Sequence, residues 1–183
     1  MSRRLILSVI GDGTVPEGSP QYEQARRLGQ LAVSAGFRVA CGGLGGVMEA
    51  ACRGAHESPQ YREGDTLGLL PGSEPGAANP WVDIPIATSL GHLRNALVAQ
   101  GDIVVAIGGQ AGTLSEIALA WIEHRPIIAL GRRGWSGKLA GSAVDDRRAP
   151  DDPAGQRVHA AESAEEAIRI AVELGGRVMS GRG

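Results

Sequence analysis

The feature that most constrains this chain is a repeated unit in which an apolar, β-branched run stops at a cluster of glycines and a helical pattern follows. Arg4–Ile10 ends at Gly11-Asp12-Gly13, Phe37–Cys41 at Gly42-Gly43-Leu44-Gly45-Gly46, and Asp102–Ile107 at Gly108-Gly109-Gln110-Ala111-Gly112. After the first cluster, Ser19-Pro20 reads as an N-cap with Pro at the first helical position, and Tyr22, Ala25, Leu28, Ala32 and Ala35 recur at helical spacing until Gly36. After the second, a small-residue helix runs from Val47 to about His56. After the third, Thr113 opens a helix with one apolar stripe of Leu114, Ile117, Ala118, Trp121 and Ile122.

The remaining pieces fit the same alternation. Thr66–Leu70, Trp81–Ile86 and Pro126–Leu130 read as further strands, and Gly91–Gln100 as a helix. Ser163 to about Leu174 is a closing helix, with Ser163 and Glu166 as a capping box. Ser58–Asp65 and Ser73–Pro80 read as loops. Gly131–Pro153, rich in Gly, Ser, Asp and Arg, is the expected mobile segment, with 141–157 a flexible loop. This order predicts an α/β fold, a Rossmann-like parallel sheet with helices on both faces, in one domain over 1–183.

Such sheets bind ligands beyond the carboxyl ends of their strands. Glycines there let backbone approach a ligand, and helix N-termini behind them favour anions. The expected ligand is therefore a small phosphorylated molecule. A net charge of −2 gives no basic field for nucleic acid. The uncharged run Ile103–Ser115 is too short and glycine-rich to span a membrane, and the apolar start ends too early at Asp12 for a signal peptide. These features predict a cytoplasmic protein in which Cys41 and Cys52 are free, buried thiols, with no spacing that suits a metal.

Two common phosphate motifs fail. Gly11-Asp12-Gly13-Thr14-Val15-Pro16 lacks the third glycine of a dinucleotide fingerprint, and Gly137-Lys138 is followed by Leu139, with Arg132 where a P-loop has its first glycine. Glu116 is the acid that stands out. Thr113-Leu114-Ser115-Glu116 reads first as a capping box, but it opens at a glycine loop and Arg94 precedes the same strand. A cation and a carboxylate beside a phosphate cradle form a catalytic or ligand-polarising constellation. Glu49 reads chiefly as complementing a helix dipole, His92 as solvated and Met48 as core. Trp81 and Trp135 fall in loops and are candidates to cover a flat ring.

Three blocks carry a resemblance over Leu5 to Leu174. They are S-V-I-G-D-G…Y-E-Q-A-R-R-L-G-Q-L-A-V-S-A-G, C-G-G-L-G-G-V-M-E-A-A-C-R-G-A, and L-R-N-A-L-V-A-Q-G-D-I-V-V-A-I-G-G-Q-A-G-T-L-S-E. Together they resemble the LOG-type family, Rossmann-like proteins often labelled lysine decarboxylases. The family includes phosphoribohydrolases that release a base from a nucleoside monophosphate through P-G-G-x-G-T-x-x-E and an upstream Arg. The resemblance places that Arg at Arg94, the glycines at Gly109 and Gly112, and the Thr and Glu at Thr113 and Glu116. Gly108 stands where the family has Pro, Gln110 replaces the second glycine, and the interval from Arg94 is one residue shorter.

With G-G-V-M-E and L-R-N, these departures make the chain look closer to the molybdenum-cofactor carrier subgroup. The resemblance implies a homodimer and a binding protein for AMP or a molybdopterin-type cofactor; no cofactor is expected to be required. The expected ligand residues are Gly11, Gly13, Gly43, Gly45, Gly46, Glu49, Arg94, Asn95, Gly108, Gly109, Gln110, Ala111, Gly112 and Thr113. The alternative it implies is a hydrolase in which Arg94 and Glu116 are catalytic. A pyridoxal-phosphate decarboxylase needs a Schiff-base lysine, and the sole lysine, Lys138, falls in a Gly/Ser segment read as a loop.

Overall fold

A computed structural model describes residues 3–152 and 154–180. Seven strands form one parallel sheet: β1 (Ile6–Gly11), β2 (Arg38–Cys41), β3 (Thr66–Leu70), β4 (Ile84–Ala87), β5 (Ile103–Ile107), β6 (Ile127–Leu130) and β7 (His159–Ala161). Their order is β4-β3-β2-β1-β5-β6-β7. The order reverses at β1, so the connections after β1 and β5 leave the sheet toward opposite faces and open a crevice between them.

The helices are α1 (Pro20–Ser34), α2 (Val47–His56), α3 (Asn95–Val98), α4 (Ala111–Ile122), α5 (Gly134–Leu139) and α6 (Ala164–Ser180). Alternation along β5 shows why helices cover both faces. Ile103, Val105 and Ile107 join Leu28, Ala51 and Ala171 under α1, α2 and α6, while Val104 and Ala106 join Val98, Ile117 and Trp121 under α3 and α4. A strand buried on both sides reads as the continuous run seen in the sequence.

The caps follow the sequence. Ser19 Oγ accepts the Tyr22 N–H at 3.4 Å, with Pro20 at the first helical position. Ser163 Oγ accepts the Glu166 N–H at 3.2 Å, and Glu166 in turn takes the N–H of Glu162 at 2.9 Å. The closing helix runs past the expected Leu174, because Gly175 sits close against Leu5, Ile103 and Phe37. The expected helix at Gly91–Gln100 is a 3-10 turn, Gly91–Arg94, leading into the single-turn α3. β7 has three residues and no β-branched run to announce it.

The segment expected to be mobile is instead tied down, although Pro153 at its end lies outside the described residues. It contains α5, so Trp135 and Lys138 are helical and not in a loop, with the Lys138 ammonium 4.5 Å above the Trp135 ring. Arg148 is buried, stacks 3.8 Å over Trp121 and donates to the carbonyls of Trp121, Arg125 and Gly155. Those bonds tie the segment to the end of α4 and to the turn that follows it. Gly141 and Val158 close the loop by exchanging backbone bonds with Val158 and Ser142 at 2.8 and 2.9 Å.

α1 and α2 approach each other through glycine. A Cβ on Gly29 would overlap the Ala51 carbonyl, and one on Gly54 the Arg26 carbonyl. Neither clash falls on a flexible side-chain end, so the helices must separate to admit a methyl. Gly54→Ala is expected to lower the urea unfolding free energy by about 3 kcal/mol, whereas the same change at Gly176, which meets nothing within 4 Å, leaves it unchanged or slightly raised.

Candidate functional site

A cleft of about 300 Å³ opens at the crevice between the β1 and β5 loops. Gly11, Asp12, Gly13 and Thr14 form one wall, Gln110, Gly112, Thr113 and Glu116 the other, with Met48, His92, Arg94 and Asn95 completing it. The first residues of α4 supply donors here. Leu114 is the first N–H of that helix bonded back, to the Gln110 carbonyl at 2.9 Å, so those of Ala111, Gly112 and Thr113 precede any intrahelical acceptor.

Arg94 and Glu116 meet at the base of the cleft, 7% and 6% exposed. Arg94 Nη1 lies 3.2 Å from Glu116 Oε1 and donates to Asn95 Oδ1 at 3.0 Å. Asn95 donates to Ser115 Oγ at 2.9 Å, and that hydroxyl donates to the Gly112 carbonyl at 2.6 Å, which fixes the pair to the start of α4. Arg94 Nε is buried with no partner. Burial pushes the Glu116 carboxyl up to about 7, against the opposing pull of Arg94. Asp12, at the mouth, moves the other way: the hydroxyl and N–H of Thr14 hold it below the ordinary range, with the Gln110 side chain adding to this.

The capping-box reading of Glu116 is corrected by this geometry. α4 starts at Ala111 with Gln110 as its N-cap, so Glu116 lies in the second turn, too far along to close the first. The helix starts early because the N–H groups of Trp135 and Ser136 take the Gly109 and Gly108 carbonyls at 3.1 Å, turning the chain before Thr113. Trp81, the other ring-covering candidate, packs edge-on against His56 and under Arg53, outside the cleft lining.

The candidate ligand residues divide into two groups. Gly11, Gly13, Arg94, Asn95, Gln110, Gly112 and Thr113 line the cleft. Gly43, Gly46, Gly108 and Gly109 are engaged in packing loops on each other. Gly43 faces Leu70 and Gly68, and Gly46, at φ +62°, lies against Asp12 and Gly13. The Gly108 N–H donates to Ser136 Oγ at 2.7 Å, and Gly109 abuts the Thr113 side chain. Gly45 borders the Gly13 carbonyl, Glu49 is half-buried beside it, and Ala111 lines a neighbouring apolar recess. Asp12, Thr14, Met48 and His92 were not among the expected ligand residues; the one signal for Asp12 was its place inside the first glycine cluster, and for Thr14 its place directly after it.

A larger groove, about 570 Å³, lies at the opposite end of the sheet around His124, Arg125, Arg147 and Asp152. His124 Nδ1 and Asp152 Oδ2 meet there at 2.6 Å, and the strands present their amino ends on that side. Among the described residues no three metal-ligating side chains converge, and no helix is long and apolar enough to cross a membrane.

The raised Glu116 carboxyl gives stability a pH dependence. From pH 4.5 to about 7 the folded chain holds a proton that the unfolded chain releases, so stability falls as pH rises through that window and is level above it. Glu116→Gln is expected to exceed wild type by roughly 3 kcal/mol at about pH 8 and to match it near pH 4, measured by urea unfolding at each pH.

Comparison with known proteins agrees with this architecture. The chain is 38% identical over 125 residues to an uncharacterized protein of Archaeoglobus fulgidus, covering 68% of this chain and 78% of that one. The molybdenum cofactor binding protein from Rippkaea orientalis superposes with a TM-score of 0.76 at 31% identity, over 95% of this chain and 99% of the other. The molybdenum cofactor carrier protein from Chlamydomonas reinhardtii does so with a TM-score of 0.75 at 30% identity, over 94% and 99%. The profile of the SLOG cluster4 family matches residues 4–168, and the chain belongs to that family.

Proposed function

We propose that this protein binds and carries a phosphorylated pterin of the molybdenum-cofactor type in the cleft between the β1 and β5 loops. The observation that carries this reading is the meeting of Arg94, with its unpartnered buried Nε, and the first N–H groups of α4 in one cleft. Both favour an anion, and a guanidinium and a helix start together suit a phosphate. The whole-length likeness to the cofactor-binding and carrier proteins supports the same class of ligand.

The remaining walls fit a flat heterocycle. Asp12 is a permanent acceptor at the mouth for ring N–H groups, Gln110 can donate and accept, and Met48 offers an apolar, polarizable surface. The protein's part is to bind, orient and shield; the cofactor supplies any redox chemistry after transfer.

The hydrolase reading keeps one specific observation in its favour. A carboxyl at about 7, buried beside an arginine, is suited to general acid–base work or to stabilising positive charge on a ribose. Base release from AMP and from isopentenyl-AMP, followed by chromatography for wild type and Glu116→Ala, separates the two. The carrier reading expects no release by either, with AMP or molybdopterin bound by wild type. It also expects Arg94→Ala to weaken that binding by about 10- to 100-fold in calorimetry. Release by wild type that vanishes in Glu116→Ala would establish the hydrolase.

We also infer a homodimer formed beside the cleft. Leu93 is 76% exposed, and with Ala96, Ala111 and Leu119 it lines a recess that shares His92, Asn95 and Gly112 with the cleft. A second copy would cover this apolar surface. Sedimentation is expected to show a dimer for wild type and a monomer for Leu93→Asp; a monomeric wild type would refute it.

A further inference from the structure

Cys41 and Cys52 take no part in the cleft's proposed chemistry. Cys41 ends β2, Cys52 lies in the second turn of α2, and both are fully buried with their Sγ atoms 3.5 Å apart. With Met48 they form a small cluster of their own, enclosed by Leu44, Trp81 and Val82. This cluster lies directly under the cleft. A Cβ on Gly42, the residue after Cys41, would stand 2.7 Å from Met48 Sδ and 2.8 Å from Arg94 Cζ, and Met48 and Arg94 both line the cleft.

The two thiols are not equivalent. The Gly43 N–H donates to Cys41 Sγ at 3.3 Å. The Cys52 S–H, that N–H and the Arg94 charge pull the Cys41 thiol down against its burial, while Cys41 and burial push the Cys52 thiol up. With the two sulfurs in contact and Cys41 accepting an N–H, Cys41 is placed to attack and Cys52 to resolve once a local opening of the cleft floor admits an oxidant to these buried sulfurs.

We propose that Cys41 and Cys52 form an intramolecular dithiol–disulfide couple in the floor of the cleft, oxidised by hydrogen peroxide. The Cys41 thiol first releases its proton to solvent; the thiolate then attacks one peroxide oxygen, an S–O bond forms as the O–O bond breaks, and the departing hydroxide takes up one proton from solvent to give water. Cys52 then attacks the sulfenic sulfur; the S–S bond forms, the S–O bond breaks, and the second hydroxide leaves with the Cys52 proton. One peroxide is reduced to two waters as two thiols lose two electrons. Closure to a disulfide length of about 2.05 Å draws Cys41 Sγ off the Gly43 N–H and ties α2 to the end of β2. Gly42, and with it Arg94 and Met48, then shifts. Thiol state and anion binding are thereby linked, and the linkage is reciprocal.

The test uses the full chain, oxidised with peroxide and then denatured for thiol counting. The expected result is a fall from two thiols per chain to none, a mass about 2 Da lower, no cross-linked dimer, a peptide joining Cys41 to Cys52, and recovery with dithiothreitol. Cys52→Ser is expected to stop at a sulfenic acid on Cys41 that dimedone traps. Two thiols surviving peroxide, disulfides between chains, or sulfinic acid formed without a disulfide would each overturn the couple. AMP is the probe for linkage, and this arm rests on the proposed binding function. Dissociation constants for the two redox forms should differ at least threefold, and equal values would overturn the link to the cleft. Thiol pairing without AMP binding to either form would uphold the couple and count against the cleft as a nucleotide or pterin phosphate site.

Discussion

At the carboxyl ends of β1, β2 and β5 the backbone packs with no room for a Cβ at Gly11, Gly43, Gly46 and Gly109, and the rest of the site depends on that constraint. A Cβ on Gly11 would run into the Ile107 carbonyl and Val47, and Gly46 holds a left-handed conformation against Asp12 and Gly13. The loop after β1 is thereby clamped between the start of α2 and the end of β5. Because the strand order reverses at β1, the same clamp leaves the start of α4 facing the β1 loop across a crevice.

Within that crevice the Arg94–Glu116 pair is costly. Two charges at 6–7% exposure lose most of their hydration, and one ion pair seldom returns it. The raised Glu116 carboxyl is the direct expression of this imbalance, since burial outweighs the attraction of Arg94. A stability role alone does not account for such a pair. Its placement beneath exposed helix N–H groups, with Arg94 Nε still unpartnered, is what the proposed binding role rests on: in that proposal the ligand offsets the cost of the pair.

Much of the sheet was legible because parallel strands buried on two faces leave an unbroken apolar signature and each ends in punctuation. β5 was found one residue from its observed start, and α1 was found with its cap. What was missed depended on tertiary contacts. The early start of α4 depends on N–H groups supplied by α5, and the ordering of 140–152 and 154–158 depends on Arg148 stacking on Trp121. Neither contact has a local sequence signal. At the candidate site, the glycine clusters marked the strand ends that border the cleft but not which glycines line it and which let loops touch. Gly43 and Gly112 look alike in sequence and are separated only by the fold.

The most direct test of the account is where a phosphorylated ligand sits. Backbone amide chemical shifts followed during titration with AMP report this residue by residue. The account predicts the largest changes at Gly11 to Thr14, at Gly112 and Thr113, and at Glu116. Changes clustered instead around His124, Arg147 and Asp152, at the other end of the sheet, would contradict it.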